Sequence, residues 1–146
     1  MATKSHGLRV VLDTNVIIAA LRSVNPYSPT VELLDRWAGN EYTLLYSDDL
    51  LAEYSEKLSK RSAPPALVGE FLSQVIQRAE YILVADRQIV AATVDPDDDR
   101  VLACAVVGKA THLVTYDPHL MAIGPSFRKV RVISVLEFLT QLRASR

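Results

Sequence analysis

Apolar residues fall along this chain in two rhythms: short unbroken runs of four or five, and longer stretches in which they recur every three or four positions. The first rhythm predicts buried strands and the second amphipathic helices. Strand 8–12 (Leu8-Arg9-Val10-Val11-Leu12) opens the series, and a turn leads into helix 14–22. Ser28-Pro29 reads as an N-cap with proline in the first helical position, opening helix 29–38, which stops near Gly39. Tyr42–Tyr46 is the next strand, and Ser47 caps a helix to about 61 with Asp48 and Asp49 in its first turn.

After the break at Pro64-Pro65, Leu67, Val68, Phe71, Leu72, Val75, Ile76 and Ala79 recur at helical spacing. Tyr81–Val84 is read as a strand, and the acidic run Asp95–Asp99 leads into an apolar helix to about 109. Strands at 112–115 and 130–133 follow, and Ser134-Val135-Leu136-Glu137 is a capping box for a terminal helix. Strands and helices alternate throughout, which predicts an α/β fold: a three-layer α/β/α sandwich with a mainly parallel central sheet. No repeat, low-complexity tract or composition shift divides the chain, so residues 1–146 are read as a single domain.

Composition narrows the classes. The 49% hydrophobic and 23% charged residues describe an ordinary globular chain. Charges interrupt every apolar run short of membrane-spanning length, and Leu8–Leu12 runs straight into Asp13 rather than forming a signal-peptide core. The lone cysteine, Cys104, excludes an intrachain disulfide, suits a reducing cytoplasm, and sits in an apolar run as a buried thiol. Net charge is −1; setting four acids aside as metal ligands leaves 13 acidic against 16 basic residues, so charge does not decide the partner.

Those four acids carry the candidate chemistry. Asp13 and Asp117 each close a predicted strand, the edge at which open parallel sheets bind ligands. Clustered carboxylates repel, and a hard divalent cation bound through oxygen relieves them. Thr14 or Asn15 can cap the first helix, which leaves Asp13 for another role. Glu53 borders the apolar stripe Leu50, Leu51, Tyr54 and Leu58, although an exposed Glu53–Lys57 pair explains it equally well. Within Asp95–Asp99, some acids need do no more than stabilise a helix N-terminus, and helix phase does not separate Asp98 from Asp99. Asp117 before Pro118 is also an ordinary turn signal.

His6, His112 and His119 show no metal-ligand spacing, and His119, just after Asp117-Pro118, is read as a surface histidine. No G-x-S-x-G motif and no glycine-rich phosphate loop occurs.

Four segments together resemble the PIN-domain family of metal-dependent ribonucleases: Val11–Val16, Ser47–Glu53, Asp95–Ala105 and Leu113–Asp117. The third looks most like the toxin components of bacterial toxin–antitoxin pairs, the VapC-like branch. The resemblance implies Asp13, Glu53, Asp99 and Asp117 as catalytic, metal-binding acids, and favours Asp99 over Asp98 from the residues that follow. It implies Asn15 and Thr115 as polar companions that hydrogen-bond the acids or metal-bound water. It further implies Mg2+ or Mn2+ as cofactor, an RNA substrate, a cognate antitoxin and a homodimer. Lys57, Lys60 and Arg61 on the Glu53 helix, with Arg128, Lys129 and Arg131, are candidate phosphate contacts, a solvated surface being their ordinary explanation.

The reading is therefore a metal-dependent ribonuclease. A catalytically silent interaction module on the same fold is the alternative. An aspartate-nucleophile phosphatase is disfavoured, because its second acid two residues after Asp13 is here Asn15.

Overall fold

The β1 strand (Arg9–Leu12) lies in the middle of a six-stranded sheet, and its Val10, Val11 and Leu12 have no solvent exposure. Burial on both faces is why it reads as a continuous apolar run instead of an alternating one. The structure is a computed structural model that describes residues 7–145; Lys4 and His6 lie outside the described residues. After β1 come α1 (Thr14–Arg22), α2 (Pro29–Ala38), β2 (Thr43–Tyr46), α3 (Asp48–Lys60) and α4 (Pro65–Arg78). The chain continues through β3 (Glu80–Tyr81), a 3-10 turn at Asp86–Gln88, α5 (Pro96–Val107), β4 (His112–Val114) and α6 (Pro118–Met121). It ends with β5 (Ser126–Phe127), β6 (Val130–Ile133) and α7 (Val135–Ala144).

The sheet order is β3-β2-β1-β4-β6-β5, parallel except for β5 against β6. This is the expected α/β/α sandwich on a mainly parallel sheet. The chain leaves β1 toward β2 and β3, then crosses back to place β4 on the other side of β1. That reversal makes the β1–β4 boundary the topological switch point, where a crevice opens beyond the carboxyl ends of the strands. Leu12 pairs with Val114, and the Asp13 amide donates to the Val114 carbonyl at 2.9 Å, so residues 13 and 115 stand side by side at that crevice.

Aromatic packing fixes α3 against this edge. The buried Tyr54 hydroxyl donates to the Leu12 carbonyl, and its ring meets Phe71 of α4 edge-on at 5.6 Å. Cys104 is fully buried, and burial pushes its thiol up to about 12, as befits a core residue with no nucleophilic role.

Two elements differ from expectation. The strand expected over 81–84 shrinks to Glu80–Tyr81: Ile82 still donates to the Tyr46 carbonyl at 2.7 Å, but Leu83 beyond it is 72% exposed. The β5–β6 hairpin was not expected, because its turn residues Arg128 and Lys129 adopt left-handed φ values of 48° and 73° without the usual Gly or Asn. No helix among the described residues is long and apolar enough to cross a membrane.

Candidate metal centre

Asp13, at the end of β1, is only 3% exposed. Its two oxygens are divided: Oδ1 accepts from the Thr14 amide and Oδ2 from the Thr115 hydroxyl, both at 2.8 Å. Asp13 thus caps α1 itself, a job that sequence left to Thr14 or Asn15. The Thr115 hydroxyl oxygen also accepts the Asp117 amide at 2.8 Å, so one threonine ties both strand-end acids together. Asp117 in turn caps α6, its Oδ1 accepting the His119 amide at 2.8 Å.

Glu53 reaches the same edge from α3, where the Thr14 hydroxyl donates to its Oε2. Thr14 and Thr115 therefore supply the hydrogen bonds to the acids. Asn15, expected in that role, is exposed. Thr14 was missed because a threonine after a strand-end acid reads as a helix cap.

The acidic run resolves differently from expectation. Asp95 caps α5, accepting the Asp97 amide at 2.9 Å, which is the helix-end role open to every acid of the run. Asp99, expected among the metal ligands, turns to the preceding loop instead. Its Oδ1 accepts the Ala92 amide at 3.0 Å, the Thr93 amide at 2.8 Å and the Thr93 hydroxyl at 2.9 Å. Asp98, 6% exposed, is the residue that faces Asp117, and its buried Oδ2 has no hydrogen-bond partner among the described residues. Neighbouring helical positions differ by about 100° in direction, so only one of the two could point at the crevice.

Electrostatics support the gathering of these groups. Burial, then a side-chain hydrogen bond with Asp117, then the charges of Asp117, Asp13 and Asp95, push the Asp98 carboxyl up to about 7. Asp13 is raised chiefly by burial, with a further contribution from Asp117. Glu53 is raised by burial and by the charges of Asp13 and Asp97. The Lys57 ammonium opposes the rise at both Asp13 and Glu53. Lys57 is thus the candidate cation that stands nearest the acids. Lys60 is engaged by Glu56 at 3.0 Å in an exposed pair, and Arg61 is exposed at the end of α3.

His119 stands beside the acids as well as at the surface. Its side chain is 67% exposed, yet Nδ1 lies 3.5 Å from Asp117 Oδ1. Donor atoms of Asp98, Asp117 and His119 all fall within 4.8 Å of one another. A buried carboxylate oxygen without a proton donor, in a ring of like charges, is a donor set suited to a hard divalent cation.

Over residues 9–119 the sequence matches the family model described as PIN domain. No curated protein matches the chain in sequence. Solved structures of similar fold include VapBC2 from Rickettsia felis, bound to a DNA fragment from their promoter, at TM-score 0.60 and 19% identity over 87% of this chain and 98% of that one. Another is VapC20 of Mycobacterium tuberculosis, a sarcin–ricin loop cleaving toxin, at TM-score 0.58 and 17% identity over 84% and 98%. A third is PAE2754 from Pyrobaculum aerophilum, at TM-score 0.62 and 18% identity over 94% and 90%. At these identities the likeness is one of fold.

Proposed function

The chain belongs to the PIN-domain family, and on that premise we propose that it is a Mg2+- or Mn2+-dependent endoribonuclease serving as the toxin of a toxin–antitoxin pair. The observation that carries this reading is the unpartnered, buried Asp98 oxygen facing Asp117 beside the β1–β4 switch point. Asp13, Asp98 and Asp117 would hold the cation, with Glu53 beside them. When bound, such an ion supplies Lewis acidity toward a phosphate oxygen and lowers the pKa of an attacking water.

The chain's own residues prepare the rest. Thr115 fixes the orientation of Asp13 and of the Asp117 backbone, and Thr14 fixes Glu53. Glu53, with its pKa raised by burial, is suited to orient the attacking water and take up its proton. Lys57 offers its charge to the phosphate backbone, and the Arg128–Lys129 turn offers a second basic contact.

RNA is the substrate class this reading assigns, on the strength of the family resemblance. The R. felis and M. tuberculosis neighbours, one a VapBC complex and the other a toxin, support an antitoxin partner for this chain. A homodimer and a cytoplasmic location belong to the same reading.

The test is cleavage of a labelled single-stranded RNA by the purified chain. Cleavage in millimolar Mg2+ or Mn2+, abolished by chelator and by Asp117→Asn, is the expected result. An intact substrate under all these conditions would leave the interaction module as the better account.

A further inference from the structure

Resting on the metal-centre reading above, we propose that this centre carries a nitrogen ligand, the His119 imidazole, which joins Asp98 and Asp117 and biases the site toward Mn2+ over Mg2+.

The geometry is favourable. Adjacent ligands of an octahedral ion, each about 2.1 Å from it, stand about 3 Å apart. Nδ1 of His119 and Oδ1 of Asp117 are separated by 3.5 Å, and the three residues' donor atoms lie within 4.8 Å of one another. Small side-chain adjustments close that triangle on one ion. Asp98, 6% exposed, leaves its Oδ2 without a hydrogen-bond partner among the described residues, an acceptor that a bound cation would satisfy.

Sequence and backbone hold the imidazole where it is needed. Asp117 caps α6, Pro118 fixes its first turn, and the Asp117 side chain accepts the His119 amide. Leu120, fully buried, anchors the same turn to the core. The ring therefore sits over the carboxylate as a consequence of the turn. At 67% exposure its transfer to a metal costs little desolvation.

The chemistry sets the selectivity. Mg2+ prefers oxygen and retains its waters, so an imidazole adds little to its binding. Carboxylates suit both ions, but a mixed nitrogen and oxygen site is one that first-row transition ions accept, Mn2+ with the lowest affinity among them, so the imidazole adds to Mn2+ binding what it does not add to Mg2+. An oxygen-only centre built from Asp13, Asp98 and Asp117 would lack this bias.

The experiment uses the full chain at pH 8 as wild type, His119→Gln and Asp98→Asn. Mn2+ binding is followed by electron paramagnetic resonance and Mg2+ binding by competition. Wild type should bind Mn2+ about tenfold or more tightly than Mg2+, and His119→Gln should lose about tenfold in Mn2+ affinity while Mg2+ changes less than about threefold. Pulsed resonance of the Mn2+-loaded wild type should show a 14N coupling that His119→Gln lacks. Binding of both ions with equal dependence on His119, or Mn2+ binding without 14N coupling, would overturn the proposal while leaving an oxygen-only centre in place. Asp98→Asn should lose both ions. Failure of wild type to bind either ion would overturn the metal centre and this inference together.

Discussion

Asp98→Asn is the perturbation that the structure constrains most tightly. Raising a carboxyl from 3.8 to about 7 corresponds to about 4 kcal/mol in favour of its neutral form. Water reaching the crevice through the exposed His119 side lowers that ceiling, and about 2 kcal/mol is a working value. The sign follows from linkage. Between pH 3.8 and about 7 the unfolded chain releases the Asp98 proton while the folded chain keeps it, so native stability falls as pH rises. Above about 7 the penalty is fully present; near pH 4 it is nearly absent.

Asparagine never ionises. The metal-free variant should therefore match wild type near pH 4 and exceed it by about 2 kcal/mol at pH 8, roughly 4–8 °C in Tm for a chain of this size. Urea and thermal melts with chelator at pH 4.5, 6 and 8 provide the assay. Adding Mn2+ should stabilise wild type and leave the variant nearly unchanged, because only the wild-type native state gains a ligand. A variant less stable than wild type at pH 8, or offset from it equally at every pH, would refute the placement of Asp98 in a crowded anionic pocket.

Other expected outcomes follow from neighbouring contacts. Asp99→Ala removes the acceptor of three hydrogen bonds from Ala92 and Thr93 and should destabilise the fold by about 1–3 kcal/mol, with the metal-induced Tm shift retained. Thr115→Val leaves Asp13 Oδ2 and the Asp117 amide without their partner; calorimetry should show metal affinity reduced about tenfold or more. Glu32, held down to about 2 first by Arg143 of α7 and then by Arg36, contributes stability above about pH 4.5 that is lost as pH falls toward 2. Glu32→Gln should cost about 1 kcal/mol or less at neutral pH, solvent screening the pair, and nothing measurable near pH 2 in denaturant melts.

The fold was legible because its signals are local and agree with one another. Ser28, Ser47 and the Ser134–Glu137 box start helices through their own hydrogen bonds, and Pro29 through its fixed φ. β1 announces itself through a run of buried apolar residues, and β4 and β6 through the shorter pairs Leu113-Val114 and Val132-Ile133. β5 did not, since it is two residues long and its turn depends on left-handed Arg128 and Lys129.

The site was legible at the strand ends, where Asp13 and Asp117 had only one edge to occupy, and less so on α5. That helix is apolar nearly all round, so no stripe tells which of Asp98 and Asp99 faces inward. The deciding group is Thr93, six positions before Asp99 across an irregular loop, a contact that period and propensity do not encode. His119 was read as a surface residue and is one by exposure; only the turn at Pro118 brings it back over Asp117.

The most direct test of the account is the rate of single-stranded RNA cleavage in millimolar Mn2+ by Asp98→Asn and Asp99→Asn, side by side with wild type. Asn at position 99 keeps an acceptor oxygen for the Thr93 contacts and should cut at a rate close to wild type. Asn at position 98 removes the unpartnered carboxylate and should reduce the rate by at least about a hundredfold, as loss of an electrostatic group at a reacting centre does. Full activity in Asp98→Asn with loss in Asp99→Asn would contradict the account at its centre.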